Sequence, residues 1–136
     1  MRPETAQFLD NARKMLERGR LMLTVPLYED AGRAAYLACF HSAQALIFER
    51  EQRILKTHRG VQSEFHRLTQ KESAVDAELR GFLSRAYSFK TIADYDLGSS
   101  VATTEADARL GIETAARFVE RLAWIIENPP RLDADE

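Results

Sequence analysis

One cysteine, Cys39, is all that the 136 residues contain. A lone thiol forms no intramolecular disulfide, which leaves the fold to packing alone and fits a reducing compartment, so the cytoplasm is the expected location. No apolar run reaches the roughly 20 residues that a membrane-spanning helix needs, and the opening MRPETAQFLDNARKM has no apolar signal core. No membrane role is expected. Charge of one sign is not in excess either: 19 lysines and arginines face 21 aspartates and glutamates, a formal net charge of -2. That balance excludes a protein that coats nucleic acid indiscriminately, and any phosphate contact has to come from a local patch. Metal chemistry is equally unsupported, because His41, His58 and His66 have no His-Glu-x-x-His or Cys-x-x-Cys companion. The six glycines are scattered and form neither GxGxxG nor GxxxxGK, and no nucleophile-elbow motif frames a serine. No cofactor is expected.

What the chain has is helical periodicity. Phe8, Leu9, Ala12, Met15, Leu16 and Leu23 recur at helical spacing from Pro3 to Leu23, and Pro26 breaks the run. A second helix is expected from about Leu27 to Arg53. Its middle, AAYLACFHSAQALIF, is apolar or small almost all round, as suits a central helix touched on several sides, and Ala31, Ala35, Ala38, Cys39, Ser42 and Ala45 allow close backbone approach. A second copy of the chain is a natural cover for any face left over. Thr57 is placed to cap a third helix. Ser73, with Asp76 three residues on, marks the start of a fourth that runs to a stop near Gly98. The fifth follows Thr103 or Thr104, carries the stripe Gly111, Ala115, Phe118, Leu122 and Ile125, and ends at Asn128-Pro129-Pro130. The expected fold is all-α, an antiparallel up-and-down bundle of about five helices. It forms one domain over residues 1–128, with an acidic, disordered tail at 129–136.

Candidate functional residues cluster in one region. Between Arg50 and Lys71 six basic residues, Arg50, Arg53, Lys56, Arg59, Arg67 and Lys71, stand against only Glu51 and Glu64, with His58 and His66 among them. Such a segregated basic surface suits phosphates of RNA or of a nucleotide. The plainer alternative is a solvated helix edge whose arginines pair with acids elsewhere. On the fourth helix Lys90 and Asp94 are four apart and share a face, with Tyr87 and Thr91 close by. An ion pair there and a ligand-facing Asp94 and Tyr95 at the open end of the bundle are both open readings. On the second helix Arg33 and His41 are about 12 Å apart along the axis, too far to pair directly, and His41 is expected to be a core histidine.

The stretch AGRAAYLACFHSAQALIFEREQRILKTHRGV, followed by AYSFKTIADYD, resembles the HEPN domain family (higher eukaryote and prokaryote nucleotide-binding), in particular its small stand-alone bacterial members. The resemblance covers most of the chain, and its most specific pieces are YLACFHSAQALI, KTHRGV and ADYD, in that order. It implies a helical bundle, usually a homodimer, often paired with a minimal nucleotidyltransferase in a toxin-antitoxin-like system. It also implies either a metal-independent ribonuclease or a module that binds nucleotides or assists a partner. Ribonuclease members carry an arginine followed after four to six residues by a histidine. In the fourth helix, where that motif belongs, Arg85 is followed by AYSFKTIADYD, which has no histidine. Matching spacings occur elsewhere, Arg53-ILKT-His58 and Arg59-GVQSEF-His66, at about the frequency chance provides.

Together these observations lead to an expected non-enzymatic HEPN-like module that binds nucleotide or RNA, or a nucleotidyltransferase partner. Its expected contact residues are Arg53, Lys56, His58, Arg59, Lys90, Asp94 and Tyr95. The first alternative is a ribonuclease toxin using Arg53 or Arg59 with His58, and the second is a structural dimerisation module.

Overall fold

The computed structural model describes residues 1–95 and 102–130. They form an all-α antiparallel up-and-down bundle of α1 (Pro3–Thr24), α2 (Tyr28–Glu51), α3 (His58–Thr69), α4 (Ala77–Tyr95) and α5 (Glu105–Glu127). Four of the five helix starts have a local cause. Pro3 opens α1, where a missing N–H costs nothing. Thr57 caps α3 by accepting a hydrogen bond from the Gly60 amide at 3.0 Å, and Thr104 caps α5 through the Asp107 amide at 3.1 Å. The start of α4 differs from the sequence expectation. Asp76, not Ser73, is the cap, and its Oδ1 accepts from the Leu79 amide at 2.9 Å. Ser73 lies in a turn whose Val75 amide donates to the Glu72 carbonyl at 3.1 Å. That turn lets Val75 reach the core, where it is buried. The expected stop near Gly98 and most of the expected tail, residues 131–136, lie outside the described residues.

The core sits around α2, which packs against all four other helices. Ala31, Ala35, Ala38, Cys39, Ser42 and Ala45 are all buried there, so the small-residue reading of this helix holds. The α5 stripe Gly111, Ala115, Phe118, Leu122 and Ile125 is buried as well. One packing detail positions the end of α4. A Cβ at Gly32 would lie 2.8 Å from Cδ1 of Phe89, and one at Gly111 would lie 3.0 Å from its Cε2. The Phe89 ring occupies the slot that these two glycines leave between α2 and α5, and it sets where Lys90 and Asp94 stand.

Candidate functional site

The Thr57 cap starts α3 at His58, and the imidazole meets side chains of α2 and α4. Its Nδ1 lies 2.9 Å from the Tyr36 hydroxyl. Its ring stacks on Tyr87, with centroids 3.9 Å apart and planes 14° apart. Tyr36 closes the trio edge-on to Tyr87 at 5.4 Å. Beside the trio opens a cleft of about 270 Å³. Leu37, Phe40 and the two tyrosines give it an apolar wall, and Lys56, His58 and Lys90 supply the polar groups. The cleft is a little smaller than the roughly 300–1,000 Å³ of drug-sized sites.

Asp94 organises the cations behind the cleft. Its Oδ2 receives Lys90 Nζ at 2.8 Å and its Oδ1 receives Arg33 Nε at 2.9 Å. The hydrogen bond from Lys90, helped by the nearby charge of Arg33, holds the Asp94 carboxyl below its ordinary range, and the same bond raises the Lys90 ammonium. Both groups are therefore charged at neutral pH. Lys56 has no acidic partner among the described residues. Burial lowers His58 and raises the Tyr36 phenol, so the ring favours its neutral form and the phenol keeps its proton. The cluster can therefore offer stacking faces, two ammonium groups and a neutral imidazole.

The structure sorts the other candidate residues. Arg53 lies 3.6 Å from Glu51 and 3.7 Å from Glu64, and Arg67 bonds both of the same acids. Arg50 donates to the Ile125 carbonyl at 2.9 Å. Arg53 and Arg67 thus pair with the two acids of the basic stretch itself and not with acids elsewhere, and Arg50 is held by a backbone carbonyl. Lys56 and His58 come together with Lys90 at the cleft, whereas Arg53 is held by its own acids. Arg59 is exposed, and so is Tyr95, at 68 %. His41 is half-buried and not a core residue, with Nδ1 2.9 Å from Gln44 Oε1. Arg85 folds back to the Glu78 carbonyl at 3.1 Å and covers the Phe82 ring.

Sequence reasoning missed Tyr36, Phe40 and Arg33 as site residues. Tyr36 and Phe40 sit inside the apolar middle of α2, where they look like core; in the sequence Tyr87 stands out only as a neighbour of Lys90. A larger groove of about 600 Å³ lies between the start of α4 and α5, beside the half-exposed Trp124. Of its lining charges Arg117 bonds Glu78 and Glu120 bonds Arg13, while Arg121 has no acidic partner among the described residues. It has no stacked rings, whereas the smaller cleft sets His58 and Tyr87 beside Lys56 and Lys90, so the smaller cleft is the better site candidate.

The HEPN domain model matches residues 5–125, and the chain belongs to that family. Two proteins of Methanocaldococcus jannaschii, both named as candidate toxins, are similar to it. One is 29% identical over 122 residues, covering 90% of this chain and 88% of the relative. The other is 28% identical over 104 residues, covering 76% and 70%.

Proposed function

We propose that the chain is a toxin-like HEPN module that works as a homodimer in the cytoplasm and holds a nucleotide, or one nucleotide of an RNA strand, in the cleft between α2, α3 and α4. One juxtaposition carries this reading: the stacked His58 and Tyr87 rings share a cleft with Lys56 and Lys90. Aromatic faces stack bases of any sequence, and lysines meet phosphate. Asp94 sets the position of Lys90, while Arg59 and Tyr95 extend the surface next to His58 and Asp94 in the chain. The toxin-like part rests on the names of the two archaeal relatives, and a minimal nucleotidyltransferase is the partner protein this reading assigns. Support for the homodimer comes from α2, whose residues Arg33, Leu37, Phe40 and His41 form a half-exposed stripe at helical spacing. Leu37 and Phe40 also line the cleft, so a second copy resting on that stripe would form part of its wall.

The competing reading is a metal-independent ribonuclease that uses Arg53 or Arg59 with His58. Its Arg53 form requires that arginine to leave Glu51 and Glu64, and no histidine follows Arg85 in α4, where the family motif is expected. The test is incubation of the protein in EDTA with total RNA and single tRNAs, beside His58→Ala and Lys90→Ala. AMP and RNA are titrated against melting temperature in parallel. The expected result is no cleavage, a rise in Tm with AMP or RNA, and a smaller rise in Lys90→Ala. Cleavage abolished by His58→Ala would replace this reading with the ribonuclease. Neither cleavage nor a shift would favour the dimerisation module.

A further inference from the structure

The Tyr36 hydroxyl and His58 Nδ1 are 2.9 Å apart, and Tyr36 is only 2 % exposed. A buried phenol needs an acceptor for its proton. Among the described residues Nδ1 is the one hydrogen-bond partner this hydroxyl has. If Nδ1 carried a proton, as in the other neutral tautomer or in the imidazolium, it would donate to the phenol oxygen and leave the tyrosine proton with nothing to bond. An imidazole that accepts at Nδ1 and is neutral carries its proton on Nε2. The titratable groups around the ring are Tyr36 from α2, Tyr87 and Lys90 from α4, and Lys56 from the connection before α3. Two of them are ammonium groups and none is a carboxylate, so nothing in the lining favours a further positive charge on the ring.

We infer that Tyr36 is a positioning residue: its hydroxyl fixes His58 as the neutral tautomer protonated on Nε2, so that His58 meets a ligand as a hydrogen-bond donor and not as a proton acceptor. This rests on the reading of the cleft as the ligand site. Nε2 has no partner among the described residues and is the ring nitrogen left for a ligand. With Lys56 and Lys90 it makes a set of donors, which suits a ligand group made only of acceptors, a phosphate monoester. The histidine then recognises phosphate without exchanging a proton with it.

Long-range 1H–15N correlation spectra of the labelled protein at neutral pH read the tautomer directly. His58 should show a protonated Nε2 and a bare Nδ1, and Tyr36→Phe should average the two nitrogens toward a mixture of tautomers. A protonated Nδ1 in the wild type, or an unchanged His58 pattern in Tyr36→Phe, would overturn the role of Tyr36. If Tyr36→Phe does not fold, fluorotyrosine incorporation takes its place. Placed at position 36 alone, the more acidic phenol donates more strongly and should move a bare Nδ1 resonance toward the protonated range, whereas an Nδ1 already in the protonated range would overturn the role. AMP titration supplies the second readout. His58→Ala should weaken binding about tenfold or more, and His58→Gln, whose amide supplies an N–H, should recover most of the loss. Failure of Gln to rescue would contradict the donor role. Absence of AMP binding in the wild type would instead remove the reading of the cleft, whereas the wrong tautomer removes only the role given to Tyr36.

Discussion

At the scale of single residues the site turns on how its charges are held. Asp94 bonds both Lys90 and Arg33, so an incoming phosphate has to compete with a carboxylate for Lys90. Asp94→Asn removes that competitor while keeping the side chain's shape. It should tighten AMP binding several-fold in calorimetry, and unchanged or weaker binding would mean that the pair orients Lys90 more than it restrains it. His58 gives a pH prediction. Burial holds its pKa below the ordinary histidine value, so the unfolded chain takes up a proton that the folded ring resists. Stability therefore falls as pH drops from about 6.5 toward the lowered value, and the loss is complete below it. Denaturant titrations across that window should show a steeper loss in the wild type than in His58→Gln, and parallel curves would argue against a buried, neutral ring. Sequence reasoning reached Lys56, His58, Lys90 and Asp94, because their charge and spacing are visible locally. It did not reach Tyr36, since a tyrosine in an apolar helical run reads as core until a histidine 22 positions later folds back onto its hydroxyl.

At the scale of elements the helices follow from capping and periodicity, and these signals are local. Thr57 caps where the sequence places it, and of the two candidates Thr103 and Thr104 the second is the cap of α5. The beginning of α4 was misplaced because Ser73 and Asp76 are both good caps in sequence; burial of Val75 decides between them. Glycine is where sequence is least informative. Gly32 reads as a weak point within a helix, and only the slot it shares with Gly111 around Phe89 explains it. In Gly32→Ala the new methyl would stand 2.8 Å from Cδ1 and 3.0 Å from Cγ of Phe89, close to the root of that ring, which cannot simply swing aside. Overpacking of this kind costs about 1–3 kcal/mol, and the helical gain of about 1 kcal/mol for alanine offsets only part of it. The variant should melt at lower temperature and bind AMP more weakly, because α4 carries Tyr87 and Lys90 out of register with His58. Full affinity despite a lowered Tm would separate the slot from the site.

At the scale of the whole molecule the protein is nearly neutral, and arrangement, not net charge, marks the candidate cleft. The basic stretch from Arg50 to Lys71 looks like the binding surface in one dimension. In three dimensions Arg50, Arg53 and Arg67 are committed to the Ile125 carbonyl or to Glu51 and Glu64, and the polar side of the cleft is left to Lys56, His58 and Lys90, of which only Lys90 comes from a distant helix. That pairing depends on side-chain geometry, which spacing along a chain does not encode. Fold and family were legible because they are spread over five helices, whereas the cleft joins residues from 36 to 90 that meet only in the bundle. The most direct test of the account is AMP binding by the wild type and by Tyr87→Ala, followed by calorimetry and amide chemical-shift mapping. The account predicts shifts centred on Lys56, His58 and Lys90, and about tenfold weaker binding once the stacking face is gone. Equal affinity in the two proteins, or shifts centred on the groove beside Trp124, would contradict it.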